Sequence, residues 1–279
     1  MRQPSKAPSF LIIGAQKCGT TALHSYLSLH PQIAGSTPKE LHFFNSEHNY
    51  KKGTSYYDSL FSNLDENKIK FEASPSYLVN PLAAPRIYRY NPNIRLIVLL
   101  RNPIERAFSA WNMYKKRFQI NRNWFRDDWL AHVEPNKSYA KRSDASLFDF
   151  NLYLTEELSF CRSSNEVSLE APVIMHGYYY RQIRAYLDLF QRDQIFFCTN
   201  TKLKNQTAKV LYEITTFVGA ESINWGSLGL VPIFEGEYDQ AIPRSAKNLL
   251  IEEYKEDSEK LVGLLNIESD SDFGWIKSK

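Results

Sequence analysis

The sequence predicts an α/β fold: a single domain in which a central parallel sheet is covered by helices on both faces. Three observations predict it. An apolar run, Phe10–Ile13, passes directly into a glycine-bracketed loop and then a helical pattern. A second run, Ile94–Leu100, broken only by Arg95, passes directly into a capped helix. A third, Gln194–Thr199, is again followed by helical spacing. Strands buried on both faces read as continuous apolar runs, and their alternation with helices is the pattern of a parallel sheet.

Composition bounds the rest. The chain has 279 residues, 43% of them hydrophobic, which is enough for one substantial α/β core. Nothing repeats and no low-complexity linker divides it, so residues 1–279 are read as one domain. The aromatic share is 14%, with 17 Tyr and 17 Phe, most of them expected in the core. A net charge of +3 is too small to imply a nucleic-acid partner, although local clusters can hold a small polyanion. Cys18, Cys161 and Cys198 form no C-x-x-C pair, so neither a metal site nor a disulfide framework is expected. No apolar leader precedes the first strand and no segment has membrane length, which predicts a soluble, cytoplasmic protein without a membrane partner.

In chain order, Gly14 and Gly19 bracket the loop after the first strand, and Thr20 opens a helix carrying Ala22, Leu23, Tyr26 and Leu27. Strand, glycine loop and helix start together form an anion cradle, because loop amides and the helix dipole both favour negative charge there. The alternative is a tight turn with no ligand. The Gly14-x4-Gly19 spacing makes the domain P-loop-like, yet Thr20 stands where a Walker loop has its lysine, and the lysine lies inside the loop at Lys17. Next, Lys39-Glu40-Leu-His-Phe-Phe44 sets two titratable groups, Glu40 and His42, beside an aromatic pair. A carboxylate among apolar groups has a raised pKa and serves as a base; the other reading is an exposed Lys39–Glu40 surface pair.

Residues 56–64 read as a short helix, 68–72 as a strand, 73–77 as a loop, and 81–90 as a helix broken or restarted at Pro85. The second apolar strand ends at Arg101, at the carboxyl edge where open α/β sheets bind ligands. Asn102 is a good N-cap, Pro103 suits the first helical position, and Glu105 completes a capping box. Arg106 and Ser109 fall on one face of that helix. Arg101 and Ser109 can share one phosphate, or the arginine can be purely structural. Residues 112–170 contain a basic, aromatic stretch with Lys115, Lys116, Arg117, Arg122, Trp124, Phe125, Arg126, Trp129, Lys141 and Arg142. It is either an acceptor-side lid or a solvated face. Helices are expected over 146–160, 178–190, a span through Ala208 and Phe217, and 249–265 with its start at Pro243-Arg244-Ser245. His176 reads as a packing residue, and the chain closes on Phe273-Gly-Trp275.

Four segments carry a resemblance: Gly14-Ala-Gln-Lys-Cys-Gly-Thr-Thr-Ala-Leu23, Lys39–Phe44, Glu72-Ala-Ser-Pro-Ser-Tyr77, and Arg95–Ser109. In this order they resemble the sulfotransferases that use 3′-phosphoadenosine 5′-phosphosulfate (PAPS), especially the heparan-sulfate type and its bacterial relatives. The resemblance implies that Gly14, Gln16, Lys17, Cys18, Gly19, Thr20 and Thr21 hold the 5′-phosphosulfate end, with Lys17 steadying the leaving phosphate. It implies Glu40 as general base, with His42 as substitute, and Arg101 and Ser109 on the 3′-phosphate. Two departures stand out. Ala73 occupies the place of a lysine common in the heparan type, and the Cys-bounded K-G-R loop near the C-terminus is missing, leaving Arg244 as the nearby candidate. Both point away from a heparan-like acceptor and toward a small molecule. The cofactor implied is PAPS, leaving as 3′,5′-bisphosphoadenosine (PAP), without a metal. The rivals are a P-loop kinase or NTPase and a non-catalytic nucleotide- or glycan-binding protein.

Overall fold

The computed structural model describes residues 7–122, 139–163, 168–231, 233 and 238–266. They form two compact units, one of residues up to Arg101 with Gln182–Glu235, the other of Asn102–Arg181 with the residues from Gly236 onward. Trp124, Phe125, Arg126 and Trp129 of the expected lid, and the closing Phe273 and Trp275, lie outside the described residues.

The first unit opens with β1 (Phe10–Gly14), α1 (Thr20–Leu27) and β2 (Ile33–Gly35), then two short helices, α2 (Glu47–Tyr50) and α3 (Thr54–Ser59). Next come β3 (Ile69–Ala73), α4 (Ala83–Tyr90) and β4 (Arg95–Leu100). In the second unit lie α5 (Pro103–Ile120), β5 (Tyr139–Ala140), α6 (Phe150–Ser163) and β6 (Ser168–Leu169). Helix α7 (Tyr179–Leu187) returns the chain to the first unit for β7 (Ile195–Thr199), α8 (Asn200–Asn205) and α9 (Thr207–Val218). The last described helix, α10 (Arg244–Leu265), belongs to the second unit.

Strands of the first unit make a five-stranded sheet in the order β2-β3-β1-β4-β7, and every pairing is parallel, as expected. Phe10, Leu11, Ile12 and Ile13 of β1 are all 0% exposed, which explains the absence of alternation in their sequence. Burying each such side chain contributes about 1.5–3 kcal/mol. The chain leaves β1 toward β2 and β3 but leaves β4 toward β7, so the carboxyl ends of β1 and β4 flank a topological switch point. That is where the loop after β1 and Arg101 after β4 are placed.

Several boundaries differ from expectation. The helix expected over 56–64 is α3, which ends at Ser59. Pro85 neither breaks nor restarts α4: it is the third helical residue, where a missing N–H leaves nothing unpaired. Asn102 does cap α5, but its side chain accepts from the N–H of Ile104, whereas a capping box with Glu105 needs the third helical residue. The helix expected from Ser146 begins at Phe150, after a tight turn over Ala145–Leu147. In the second unit, Trp111, Phe108, Phe150, Tyr153, Leu250 and Tyr254 belong to one apolar core. Arg142, read from sequence as part of a lid or of a solvated face, is inside that unit: it is 4% exposed and pairs with buried Glu157 at 2.7 Å. Its other donors reach the carbonyls of Glu170 and Tyr153, so its charge serves the fold.

Candidate active site

The loop after β1 is held from three sides. The N–H of Ala15 donates to the carbonyl of Leu99 in β4 at 2.7 Å, and that of Cys18 turns back to Ala15 at 3.2 Å. Asn200, at the first position of α8 beyond β7, donates its side-chain amide to the carbonyl of Cys18 at 3.2 Å. Sequence reasoning passed over Asn200; its position at the end of a parallel strand was the available signal. A side chain at Gly14 would bring its Cβ within 2.5 Å of Leu78, so close packing requires glycine there. Gly19 has a φ of 97°, which favours glycine on its own, and its missing Cβ would also meet Asn200 at 2.9 Å.

Lys17 has a φ of 66°, a left-handed conformation uncommon outside glycine. Such backbones cluster where a ligand is gripped. Gln16 and Lys17 are half-buried, Cys18 and Thr20 are buried, and Thr21 is exposed on the first turn of α1. No side chain caps that helix, and its first turn holds no acidic residue, so its N-terminal N–H groups and dipole are left for an outside anion. Arg101 is half-buried one residue past β4. Gly14 ends β1 and Arg101 follows β4 directly, so the loop and Arg101 lie at the carboxyl ends of neighbouring parallel strands.

The second segment is organised differently from its sequence reading. Glu40 has a side chain 41% exposed; Lys39 Nζ meets its Oε1 at 2.5 Å and His42 Nε2 lies 3.4 Å from its Oε2. Burial pushes its pKa up, but the His42 hydrogen bond and the Lys39 charge more than offset this and hold it at about 2. The expected raised pKa is therefore corrected: the neighbours that matter are the two cationic or polar side chains, while Phe43 and Phe44 turn away and are 0% exposed. His42 also lies 3.3 Å, through Nδ1, from the Asn45 side chain.

A third layer holds that segment in place. Glu72 of β3 is 0% exposed and accepts hydrogen bonds from Tyr57 (2.5 Å), Ser74 (2.5 Å) and Tyr77 (2.7 Å). The Ser74 hydroxyl in turn accepts from the N–H of His42, and the Tyr77 hydroxyl from the N–H of Phe43. Burial pushes the Glu72 carboxyl up, and burial together with Glu72 keeps both phenols protonated. The Glu72–Tyr77 segment thus fixes the backbone that carries His42. Tyr57 was not foreseen, and neither was His24 of α1. Burial, and then the Lys39 charge, lower the His24 pKa.

The remaining candidates belong to the second unit. Ser109 is 4% exposed in α5 and accepts a hydrogen bond from the Tyr238 hydroxyl at 2.8 Å. Arg244 is exposed at the first residue of α10. His176 is half-buried, and burial followed by the Arg106 charge lowers its pKa to about 3.

The model of the sulfotransferase domain matches residues 7–257, so the chain belongs to the sulfotransferase domain family and is a sulfotransferase by class. It is 26% identical to the membrane-associated sulfotransferase Kil1 of Dictyostelium discoideum, over 96% of this chain and 66% of that protein. It is 31% identical to the bifunctional heparan sulfate N-deacetylase/N-sulfotransferase 1 of Caenorhabditis briggsae, over 76% of this chain. The chain spans just under two thirds of the length of the former and 22% of the latter. Among solved structures, a sulfotransferase from Alicyclobacillus acidocaldarius matches its fold with a TM-score of 0.67 at 24% identity, covering 94% of this chain and 97% of that one. Mouse sulfotransferase SULT7A1, complexed with PAP, matches with a TM-score of 0.53 at 12% identity over 95% of this chain and 88% of that one. Among the described residues no helix is long and apolar enough to cross a membrane.

Proposed function

We propose that the chain moves a sulfuryl group from PAPS to a hydroxyl or amine nitrogen of an acceptor, by in-line transfer with Glu40 as general base and no metal. The observation that carries this reading is the loop after β1: Lys17 held in a left-handed backbone, two obligatory glycines, and a helix start with neither cap nor acid. Bound PAPS supplies an activated sulfuryl group with PAP as its leaving group. Gly14, Gln16, Cys18, Gly19, Thr20 and Thr21 provide the cradle for the 5′ end, and Lys17 places its charge where negative charge develops. Arg101 and Ser109 take the 3′-phosphate, with Arg244 as a further cation. Glu40 accepts the acceptor's proton, and His42 replaces it if the carboxylate is misplaced. A sulfuryl group carries less charge than a phosphoryl group, so one lysine and the loop amides meet the electrostatic need.

We take the acceptor to be a small metabolite rather than a heparan-like glycan, on the strength of Ala73 and the missing K-G-R loop. The names of the heparan sulfate relatives support a second reading, a glycan acceptor. The test is PAP release from PAPS with EDTA present, against alcohols, phenols, amines and a heparan-type oligosaccharide. Acceptor-dependent release in EDTA is expected, strongest with a small molecule. Turnover of ATP that requires Mg²⁺, with no PAP released, overturns the reading.

A further inference from the structure

We propose that Tyr238 is a positioning residue that sets the donor direction of Ser109 and so tunes selectivity for 3′-phosphorylated nucleotides. The inference rests on the proposed role of Ser109 and adds a residue to it. The Tyr238 hydroxyl donates to Ser109 Oγ at 2.8 Å, linking positions 129 residues apart within the second unit. Of two hydroxyls, the phenol is the stronger acid and therefore the donor. A serine hydroxyl has one proton and two lone pairs. Once Tyr238 occupies a lone pair, the Ser109 proton is turned elsewhere, and the structure shows no second partner for Ser109 Oγ among the described residues. At 4% exposure that proton has little water to meet. A buried hydroxyl with its own acceptor side filled is a ready donor to a phosphate oxygen, and a chain of hydrogen bonds polarises each member.

Tyr238 is itself kept in place by features apart from its hydroxyl. Its ring packs edge-on against Phe108, with centroids 5.4 Å apart at 75°. The next residue, Asp239, pairs with Lys115 of the same helix α5 at 3.8 Å. Phenylalanine at 238 keeps the ring contact and the neighbouring pair, and removes only the hydroxyl.

The test is calorimetry of PAP and AMP binding to the wild type, Tyr238→Phe, Ser109→Ala and the double variant, with melting curves for each. Tyr238→Phe is expected to weaken PAP about two- to tenfold, the worth of one neutral hydrogen bond, and to leave AMP unchanged. The double variant should bind PAP no more weakly than Ser109→Ala alone, because Tyr238 acts only through that serine. If Ser109→Ala lowers PAP affinity selectively and Tyr238→Phe does not, the positioning role is overturned while the phosphate site stands. If Ser109→Ala leaves the PAP-to-AMP ratio untouched, the phosphate assignment fails and takes the inference with it. Equal losses of PAP and AMP in Tyr238→Phe, or a further loss in the double variant, make Tyr238 structural and also overturn it.

Discussion

Glu40 is a carboxylate whose two neighbours prepare it and restrain it at once. The His42 contact and the Lys39 charge keep it ionised, at a pKa of about 2, against the upward push of burial. An ionised base is ready to accept a proton, but a strongly depressed pKa weakens its pull. Glu40→Gln is expected to lower turnover by about a hundred- to ten-thousand-fold while leaving PAP affinity nearly intact, because the proposed base is assigned to the acceptor and not to the nucleotide. Lys39→Met should move the other way in pH: with one lowering influence gone, the Glu40 pKa rises toward the ordinary carboxylate value of about 4.3. The acid limb of kcat/KM then shifts to higher pH. A depressed carboxylate stabilises the fold fully above its unfolded pKa, and that contribution disappears as pH falls through about 2. Lys39→Met narrows this window from below. Rate profiles and acid melts of the three proteins check both statements; Glu40→Gln keeping more than half the wild-type rate transfers the role to His42.

At the scale of elements, what was legible was what repeats a local rule. The apolar runs of β1, β4 and β7 were readable because buried and half-buried positions leave polar residues only at the strand ends, Arg95 and Thr199. The three-residue edge strand β2 was not readable, since Ile33-Ala-Gly35 is too short to show a period. Lys17, Gly14 and Gly19 announced the loop by spacing, whereas Asn200 supports it from more than 180 residues away and is marked in the sequence only by its place just after a strand. The pKa of Glu40 was misjudged for the same kind of reason: adjacency in sequence suggested Phe43 and Phe44, and the fold buried both. Glu72 joins the two levels, because its hydrogen bonds to Ser74 and Tyr77 reach on to the backbone of 42–44. Its folded pKa is raised by burial, so its contribution to stability is fully present below about 4.3 and is lost as pH rises through the folded value. Glu72→Gln keeps the shape, and hydroxyls can turn to accept from its amide. The variant should therefore be least favourable relative to wild type in acid and gain on it as pH rises. Chemical denaturation at several pH values measures this, and a stability difference independent of pH rejects it.

For the whole molecule, the question is which ligand the folded chain selects. A net charge of +3 attracts any nucleotide weakly, so binding of a polyanion alone identifies nothing. Linkage makes the choice visible: a ligand that binds only the folded chain stabilises it by about 2.7 kcal/mol at a hundred times its Kd. For a chain near this size that corresponds to a rise of roughly 5–10 °C in melting temperature. PAP is expected to give the larger rise and AMP at equal concentration a smaller one, because AMP lacks the phosphate assigned to Arg101 and Ser109. EDTA should leave both shifts in place, since the proposal assigns the 5′ end to Lys17 and the loop amides and to no metal. A Walker-type loop behaves in the opposite manner, with its lysine at the position of Thr20 and its nucleotide bound together with Mg²⁺. A larger shift with Mg²⁺ and ATP than with PAP, abolished by EDTA, would place this loop among the NTPases. The comparison needs no acceptor, so it tests the cofactor separately from the substrate. Raising the salt concentration should shrink both shifts and the long-range, charge-driven part of their difference, and leave the part owed to direct contacts at half-buried Arg101 and buried Ser109, which are screened least.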